Sequence, residues 1–435
     1  MSNNVFVLGL TDLQRGELAT IRDADRCTFH DLLGYGRLVA QTRFDFEELL
    51  EQARRELAAH PGSVEALVAH WDFPVSVLAP ILAAERGLPS PSPESVLKTE
   101  HKYWSRLEQV ACVPEVVPRF TSFDPFDDHA LEGIELDFPF WVKPVKSHSS
   151  ELGFKVAGAE GFVRAVEEIR AGIREIGDPF DQALSHLDLP PELREATGRT
   201  CLAEELIDGI QAAPEGSMFQ GEFAVHGVVD MYTDPETHAI SRLDYPAGTV
   251  PERVQRQMAD VCERYLRQVG YDNGCFNAEF MWDEARDKLW LIEVNTRISQ
   301  SHSDLFAKVD GASNHEVAVD VALGQRPRMP HRQGGHAVAA KCNIVRTEDA
   351  VVAGVPAPED VARLQEKFPE TLVKIDVQPG DRLSGLAHQD SYQYILGVLY
   401  LGADDREQLV AHYHACLDLL PFEYDAVTGS GRAAP

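Results

Sequence analysis

At 435 residues, 44% hydrophobic and 25% charged, the chain is long enough for two or three domains with proper cores. A formal charge of −30 disfavours nucleic acid and anionic membranes as partners, since both demand a basic surface, and no apolar run reaches the length of a transmembrane helix. The start MSNNVFVLGL is too short and too poorly flanked for a secretion signal, so it reads as a first buried strand and the expected address is the cytoplasm.

The first hundred residues alternate between strand and helix patterns. Strands are expected at 5–10 and 64–70, and helices at 46–59 and 74–86, the latter ending at Gly87. Such alternation implies an open α/β sheet. The turn-rich GLPSPSP leads into a strongly helical stretch, 94–110. A proline-rich break at 113–126 precedes a hydrophobic strand, FPFWVKPV, interrupted by Lys143. A loop at 147–153 and a helix at 161–172 follow. The Pro- and charge-containing stretch 173–199 has weak periodicity and is expected to be an inserted, partly mobile segment. Strands are expected at 201–207 and 221–232 and a helix at 251–269. After residue 330 come strands at 335–345, 371–377 and 394–402, a helix at 406–419, and a disordered GSGRAAP tail. The seven cysteines are scattered and never form a CxxC, which argues for buried thiols rather than a disulfide framework or a zinc site.

The sharpest signal is the stretch 276–297, FNAEFMWDEARDKLWLIEVNTR, in which two alternating strands flank a charged turn. With the turn centred near Arg286, Trp282 opposes Trp290, Glu279 opposes Glu293 and Asn277 opposes Asn295. One face is then an ordinary core face of Phe276, Ala278, Phe280 and Trp282 against Trp290, Ile292 and Val294. The other carries Asn277, Glu279 and Met281 against Leu291, Glu293 and Asn295, with Arg297 next along. Like charges across a strand pair repel, so the glutamates require either solvent or a cation. Hard oxygen donors with room for phosphate oxygens suit Mg²⁺ better than zinc. A lone Glu pair would be a solvated edge; the added Asn and Arg favour a site. In a chain of this charge, a polyanionic ligand would need a local cluster of Lys, Arg and metal to hold it.

The order of these pieces resembles the ATP-grasp superfamily over roughly residues 1–330. The shared order is a Rossmann-like start, a lysine helix, a lysine strand with a phosphate loop, a hinge strand ending in acids, and the acidic hairpin. LIEVNTRISQSH is similar to the family's metal strand and following loop. The fold implied is α/β and α+β: a Rossmann-like domain at 1–97, an ATP-grasp domain of two subdomains at 98–330, and a C-terminal α+β extension at 331–435. The resemblance implies Glu279, Glu293 and Asn295 as ligands of Mg²⁺, with Mn²⁺ as a substitute. It implies Arg297 on the transferring phosphate or the substrate carboxylate, and Lys102 as the first nucleotide lysine, with Lys98 competing. Lys143 would be the second lysine. A lysine within an apolar strand is costly unless its ammonium reaches an anion or the surface. The serine-rich KSHSSELG stands where relatives carry a glycine-rich phosphate flap, so Ser149 and Ser150 would approach phosphate. CLAEELIDGIQ resembles the adenine hinge: backbone near Glu205, Leu206 and Ile207 would pair with the base, Glu204 or Glu205 would take the exocyclic amine, and Gln211 stands near the ribose position. His302 matches a histidine of some relatives, and a structural hydrogen bond explains it equally well.

Such a site activates a small carboxylate with ATP as an acylphosphate, releasing ADP, and couples it to an amine. Two alternatives stay open: biotin- or carbamoyl-type carboxylation with bicarbonate, and a non-catalytic nucleotide-binding module. The substrate pocket is expected to draw on the segment 173–199, the strand region 219–232, Arg242 and the loop 299–305. Residues 380–397 could close the site or form a homodimer surface.

Overall fold

The computed structural model describes residues 2–41, 43–147, 152–233, 239–386 and 393–425. Ser149, Ser150 and the GSGRAAP tail lie outside the described residues. Among the described residues no helix is long and apolar enough to cross a membrane, and all seven cysteines are free.

The chain opens with β1 (Asn3–Leu8), α1 (Asp12–Leu18), β2 (Cys27–Leu32), α2 (Tyr35–Leu38), α3 (Phe46–Ala59), β3 (Ala66–Val68) and α4 (Val75–Arg86). The strands form a parallel sheet in the order β2-β1-β3. The sequence pattern located β1, α3, β3 and α4, while α1 and β2 went unseen. Residues 27–32 carry the half-polar sequence CTFHDL, which becomes a strand by pairing with β1 rather than by its own periodicity. In α3, Asp45 caps the helix by accepting from the Glu48 amide, and Phe46, Leu49, Leu50, Ala53 and Leu57 form its buried stripe. α4 is apolar nearly all round and correspondingly buried, and it stops at Gly87, whose φ of 66° lies in the left-handed region.

The next elements are α5 (Pro93–Glu100), α6 (Lys102–Cys112), β4 (Phe120–Phe123), β5 (Phe140–Pro144), β6 (Phe154–Val156), α7 (Ala159–Gly172), α8 (Arg174–Leu184) and β7 (Cys201–Glu205). The four strands form an antiparallel sheet in the order β4-β7-β5-β6. Two expectations need correction. The single helix expected over 94–110 is two helices, broken at His101, whose φ of −82° and ψ of 99° are extended. Its Nδ1 accepts from the Trp104 amide at 3.1 Å, so a side-chain cap restarts the helix at Lys102. The segment 173–199 is not an unstructured insertion. Pro179 and Gly177 lower its helix propensity, but Phe180, Ala183 and Leu184 are buried against the N-terminal unit, and that packing overrides propensity. Gly177 is required there, because a Cβ would stand 2.6 Å from the Gly198 carbonyl oxygen.

The remaining chain builds one large antiparallel sheet. Its first part is β8 (Ile210–Phe219), β9 (Glu222–Thr233), β10 (Ile240–Tyr245), α9 (Glu252–Val269), β11 (Gly274–Asp283), β12 (Lys288–Asn295), α10 (Ser303–Asp310) and α11 (Asn314–Ala322). Then follow β13 (Val338–Arg346), β14 (Val351–Gly354), α12 (Pro358–Lys367), β15 (Leu372–Ile375), β16 (Tyr394–Ala403), α13 (Arg406–Leu417) and β17 (Glu423–Asp425). Eight strands run in the order β12-β11-β8-β9-β10-β13-β16-β15, so strands from beyond residue 330 extend the sheet that carries the acidic hairpin. Helix α9 lays Val254, Met258, Val261, Cys262, Tyr265, Leu266 and Val269 into the core behind that hairpin.

Candidate functional site

The acidic hairpin pairs as expected at its open end, with Asn277 opposite Asn295 and Glu279 opposite Glu293. Toward the turn the register slips by one: Phe280 faces Leu291 and Trp282 faces Leu289, so the expected Trp282–Trp290 pair does not form. The extra residue is Ile292, a β-bulge. Leu291 therefore turns into the core and is fully buried, while Trp290 stands half-exposed. Arg106 explains the bulge. Its guanidinium donates to the Leu291 carbonyl at 2.8 Å and the Ile292 carbonyl at 2.9 Å, satisfying acceptors next to the irregular step in the ladder.

Opposed and half-buried, the two glutamates are shifted in opposite directions. Burial, then the nearby Glu293 carboxylate, pushes the Glu279 carboxyl up to about 7, against a 3.0 Å hydrogen bond from Gln211. Burial acts on Glu293 too, but Lys102, 3.6 Å away, and Lys143 outweigh it and hold its carboxyl below the usual range. Asn295 spends its Nδ2 on the Asn277 Oδ1 at 3.2 Å, which leaves its own Oδ1 as the unspent acceptor. Two carboxylates and an amide oxygen on one face are hard donors of the kind that suit a divalent cation of the Mg²⁺ type. Among the described residues no three acidic, His or Cys side chains converge as a metal cluster. A cation here would therefore keep coordination positions open for phosphate or water.

Above this face lies a cluster of cations around a small cavity. Lys102, the first residue of α6, reaches Glu293 and the Ser147 carbonyl at 3.4 Å. Lys98 is occupied elsewhere, 2.9 Å from Glu94, so of the two candidates Lys102 lines the cavity. Lys143, on β5, lies 2.5 Å from Glu204. Glu204 also takes the Arg106 Nε at 2.5 Å, and although burial raises its pKa, Arg106 and Lys143 bring it down to about 2. Its carboxylate is thus engaged by two cations. Glu205 faces Arg119 at 3.2 Å. Beyond it the backbone groups of Leu206 and Ile207 carry no hydrogen bond to any described residue, leaving an open edge. Gln211 is bound to Glu279. Arg242 does not reach this face: Leu243 continues the row from Gln211 through Met231, and Arg242 projects oppositely onto Asp244 and Tyr232.

Arg297 meets Asp72 through two hydrogen bonds of 2.8 Å. Sequence reasoning missed four residues here. Asp72 carried no local signal. Arg106 did, since it stands four residues after Lys102 and so on the same helix face. Lys146, buried in an ion pair with Glu100, lay within the phosphate-loop motif. Glu215, almost fully buried on β8 opposite Asn277, accepts from the Ser299 amide, His302 and Asn314.

The sequence profile described as "Carbamoyl-phosphate synthase L chain, ATP binding domain" matches residues 234–329. A carbamoyl phosphate synthase large chain of Clavibacter michiganensis is 37% identical over 81 residues, covering 19% of this chain and 7% of that protein. An L-amino acid ligase from Bacillus licheniformis superposes with a TM-score of 0.71 at 17% identity, covering 98% of this chain and 99% of that one. The biotin carboxylase domain of the Hydrogenobacter thermophilus 2-oxoglutarate carboxylase, solved with MgADP and bicarbonate, gives a TM-score of 0.64 at 14% identity over 98% of this chain and 91% of that one.

Proposed function

We propose that this chain, an ATP-grasp protein by its fold, is an ATP-dependent, ADP-forming ligase that joins a small carboxylic acid, such as an amino acid, to an amine. The observation that carries this reading is the opposed Glu279–Glu293 pair with Asn295 beneath Lys102, Lys143 and Lys146, a concentration of cations in a chain of formal charge −30. A carboxylate oxygen of the acid attacks the γ-phosphorus of ATP, the bond from that phosphorus to the β–γ bridging oxygen breaks, and ADP leaves. The amine then attacks the acylphosphate carbon and displaces phosphate.

In this scheme Lys102, Lys143 and Lys146 position and neutralise the phosphates. The open backbone edge at Leu206 and Ile207 receives the adenine. With Glu204 committed to Arg106 and Lys143, its task is to hold Lys143 rather than the exocyclic amine. Arg297, oriented by Asp72, holds the acid's carboxylate or the transferring phosphoryl group. Glu279, Glu293 and Asn295 would hold Mg²⁺, which when bound supplies neutralisation of phosphate charge. Residues 1–97 serve as the nucleotide-flanking unit and 98–330 as the nucleotide-holding unit, with 331–435 an extension whose strands continue the same sheet.

A bicarbonate-dependent carboxylation is the second reading, favoured by the match to the carbamoyl-phosphate synthase ATP-binding domain. Incubation with Mg·ATP and a panel of amino acids, measuring ADP, AMP and phosphate, separates the two. Amino-acid-dependent ADP and phosphate support the ligase, strictly bicarbonate-dependent ADP promotes the second reading, and AMP as product overturns both.

A further inference from the structure

The ligase reaction sheds a proton. An acylphosphate is attacked by a neutral amine, and as the C–N bond forms and the C–O bond to phosphate breaks, the nitrogen must lose one more proton. The acids that line the cavity are already engaged: Glu204 with Arg106 and Lys143, Glu100 with Lys146, and Glu293 with Lys102. A base has to come from elsewhere.

His302 has the required construction. Its Nδ1 lies 2.7 Å from Glu215 Oε2. The other donors to Glu215 are the Ser299 amide at 3.1 Å and the Asn314 side-chain amide at 2.6 Å. Surrounded by donors, Glu215 is an ionised acceptor, so the proton of neutral His302 resides on Nδ1 and Nε2 carries the lone pair. That nitrogen has no hydrogen-bond partner among the described residues. The residue as a whole is only 3% exposed. The location follows from register: Asn295 pairs with Asn277 and Asn277 with Glu215, so Glu215 stands two strands from the proposed metal asparagine, on the same face. Two inter-strand steps are about 10 Å, the reach of a phosphoryl group with an acyl substrate beyond it.

We propose that His302 is the base that takes the amine's proton at Nε2, with Glu215 as its positioning residue, a role that rests on the ligase reading above. Titratable groups on the elements around the dyad include His226 on β9, held neutral by burial with a pKa of about 4, the Asp304–Lys308 pair and Asp310 on α10, His315, Glu316 and Asp320 on α11, Glu279 on β11, and Lys341 on β13, which donates to Ser301. None of them contacts Nε2.

The test uses the full chain with Mg·ATP and the amino acids of the panel. H302N should lower amino-acid coupling about 100-fold, while capture of the acylphosphate by hydroxylamine, a weakly basic nucleophile already neutral at pH 7, falls less than fivefold. E215Q weakens the acceptor that orients the ring, so it should lower amino-acid coupling while sparing hydroxylamine capture. Nitrogen NMR of histidine-labelled protein should show an Nδ1-protonated imidazole that disappears in H302N. Equal loss of both nucleophiles in H302N, unchanged amino-acid coupling in E215Q, or an Nε2-protonated signal for His302 overturns the proposal alone. Absence of any acid- and amine-dependent ADP release by the wild type overturns the ligase reading and the proposal with it.

Discussion

Arg297 and Asp72 are 225 residues apart in sequence and meet through two N–H···O contacts of 2.8 Å each. The bidentate geometry matches a planar guanidinium to a planar carboxylate, and it fixes the orientation of an arginine at the end of the metal strand from a residue in the N-terminal α/β unit. Replacing Asp72 by Asn should keep the volume and remove the charge. The expected result is a fall of about 100-fold in kcat/KM for the acid with the KM for ATP unchanged; an unchanged steady-state profile would show that Arg297 needs no such partner.

Arg106 is the corresponding fixture on the other side of the cavity, bridging Glu204 on β7 and the bulge carbonyls on β12. The R106M variant leaves Glu204 buried with one fewer cation and leaves two carbonyls unpaired. Loss of a buried partner of this kind costs about 3 kcal/mol, measurable as a lower urea midpoint at unchanged m-value.

The opposed glutamates set function against stability. Glu279 carries a carboxyl raised to about 7, so at pH 8 its ionised form burdens the metal-free fold. E279Q should therefore raise the thermal midpoint without Mg²⁺ while abolishing Mg-dependent turnover. A lowered midpoint would show that the repulsion is already relieved in the free protein.

Lys98 and Lys102 are one turn apart in sequence but differ in what they reach. K102M should raise the Kd for ATP about tenfold or more, the loss of one charge-assisted contact, whereas K98A, which removes an exposed-side pair with Glu94, should leave it within twofold. Nucleotide titration calorimetry distinguishes the two.

Acid should destabilise the fold through its buried histidines. Burial lowers His101 and His226 to about 4, and His70 well below its ordinary value, whereas the unfolded chain binds protons near pH 6.5. Stability is therefore full above about pH 6.5 and is lost as pH falls toward 4, by about 2 kcal/mol per histidine at pH 5. Urea denaturation at pH 7, 6 and 5 checks the slope, and replacing His226 by Gln should flatten it.

Part of the site was legible because it is local. Glu279, Glu293 and Asn295 share a face through period-two alternation, and Lys102 and Arg106 share one through helical spacing. The Trp282–Trp290 pairing failed because a bulge depends on who satisfies the carbonyls, and that residue, Arg106, comes from another element. The helix at 174–184 was missed because its propensity is poor and its stability is supplied by burial against α3 and its neighbours.

By itself, then, the sequence determined most of the alternation of elements and the acidic hairpin, since each is written in spacing along a strand or helix. Only the tertiary structure decided which partner each charge finds: Asp72 for Arg297, Glu204 for Lys143 and Arg106, and Glu215 for His302. The reason is physical. Side-chain periodicity depends on neighbours a few residues away, whereas a buried charge is stable only beside an opposite charge or donor, and that partner can lie anywhere in the chain that the packing of sheets and helices brings within 3 Å.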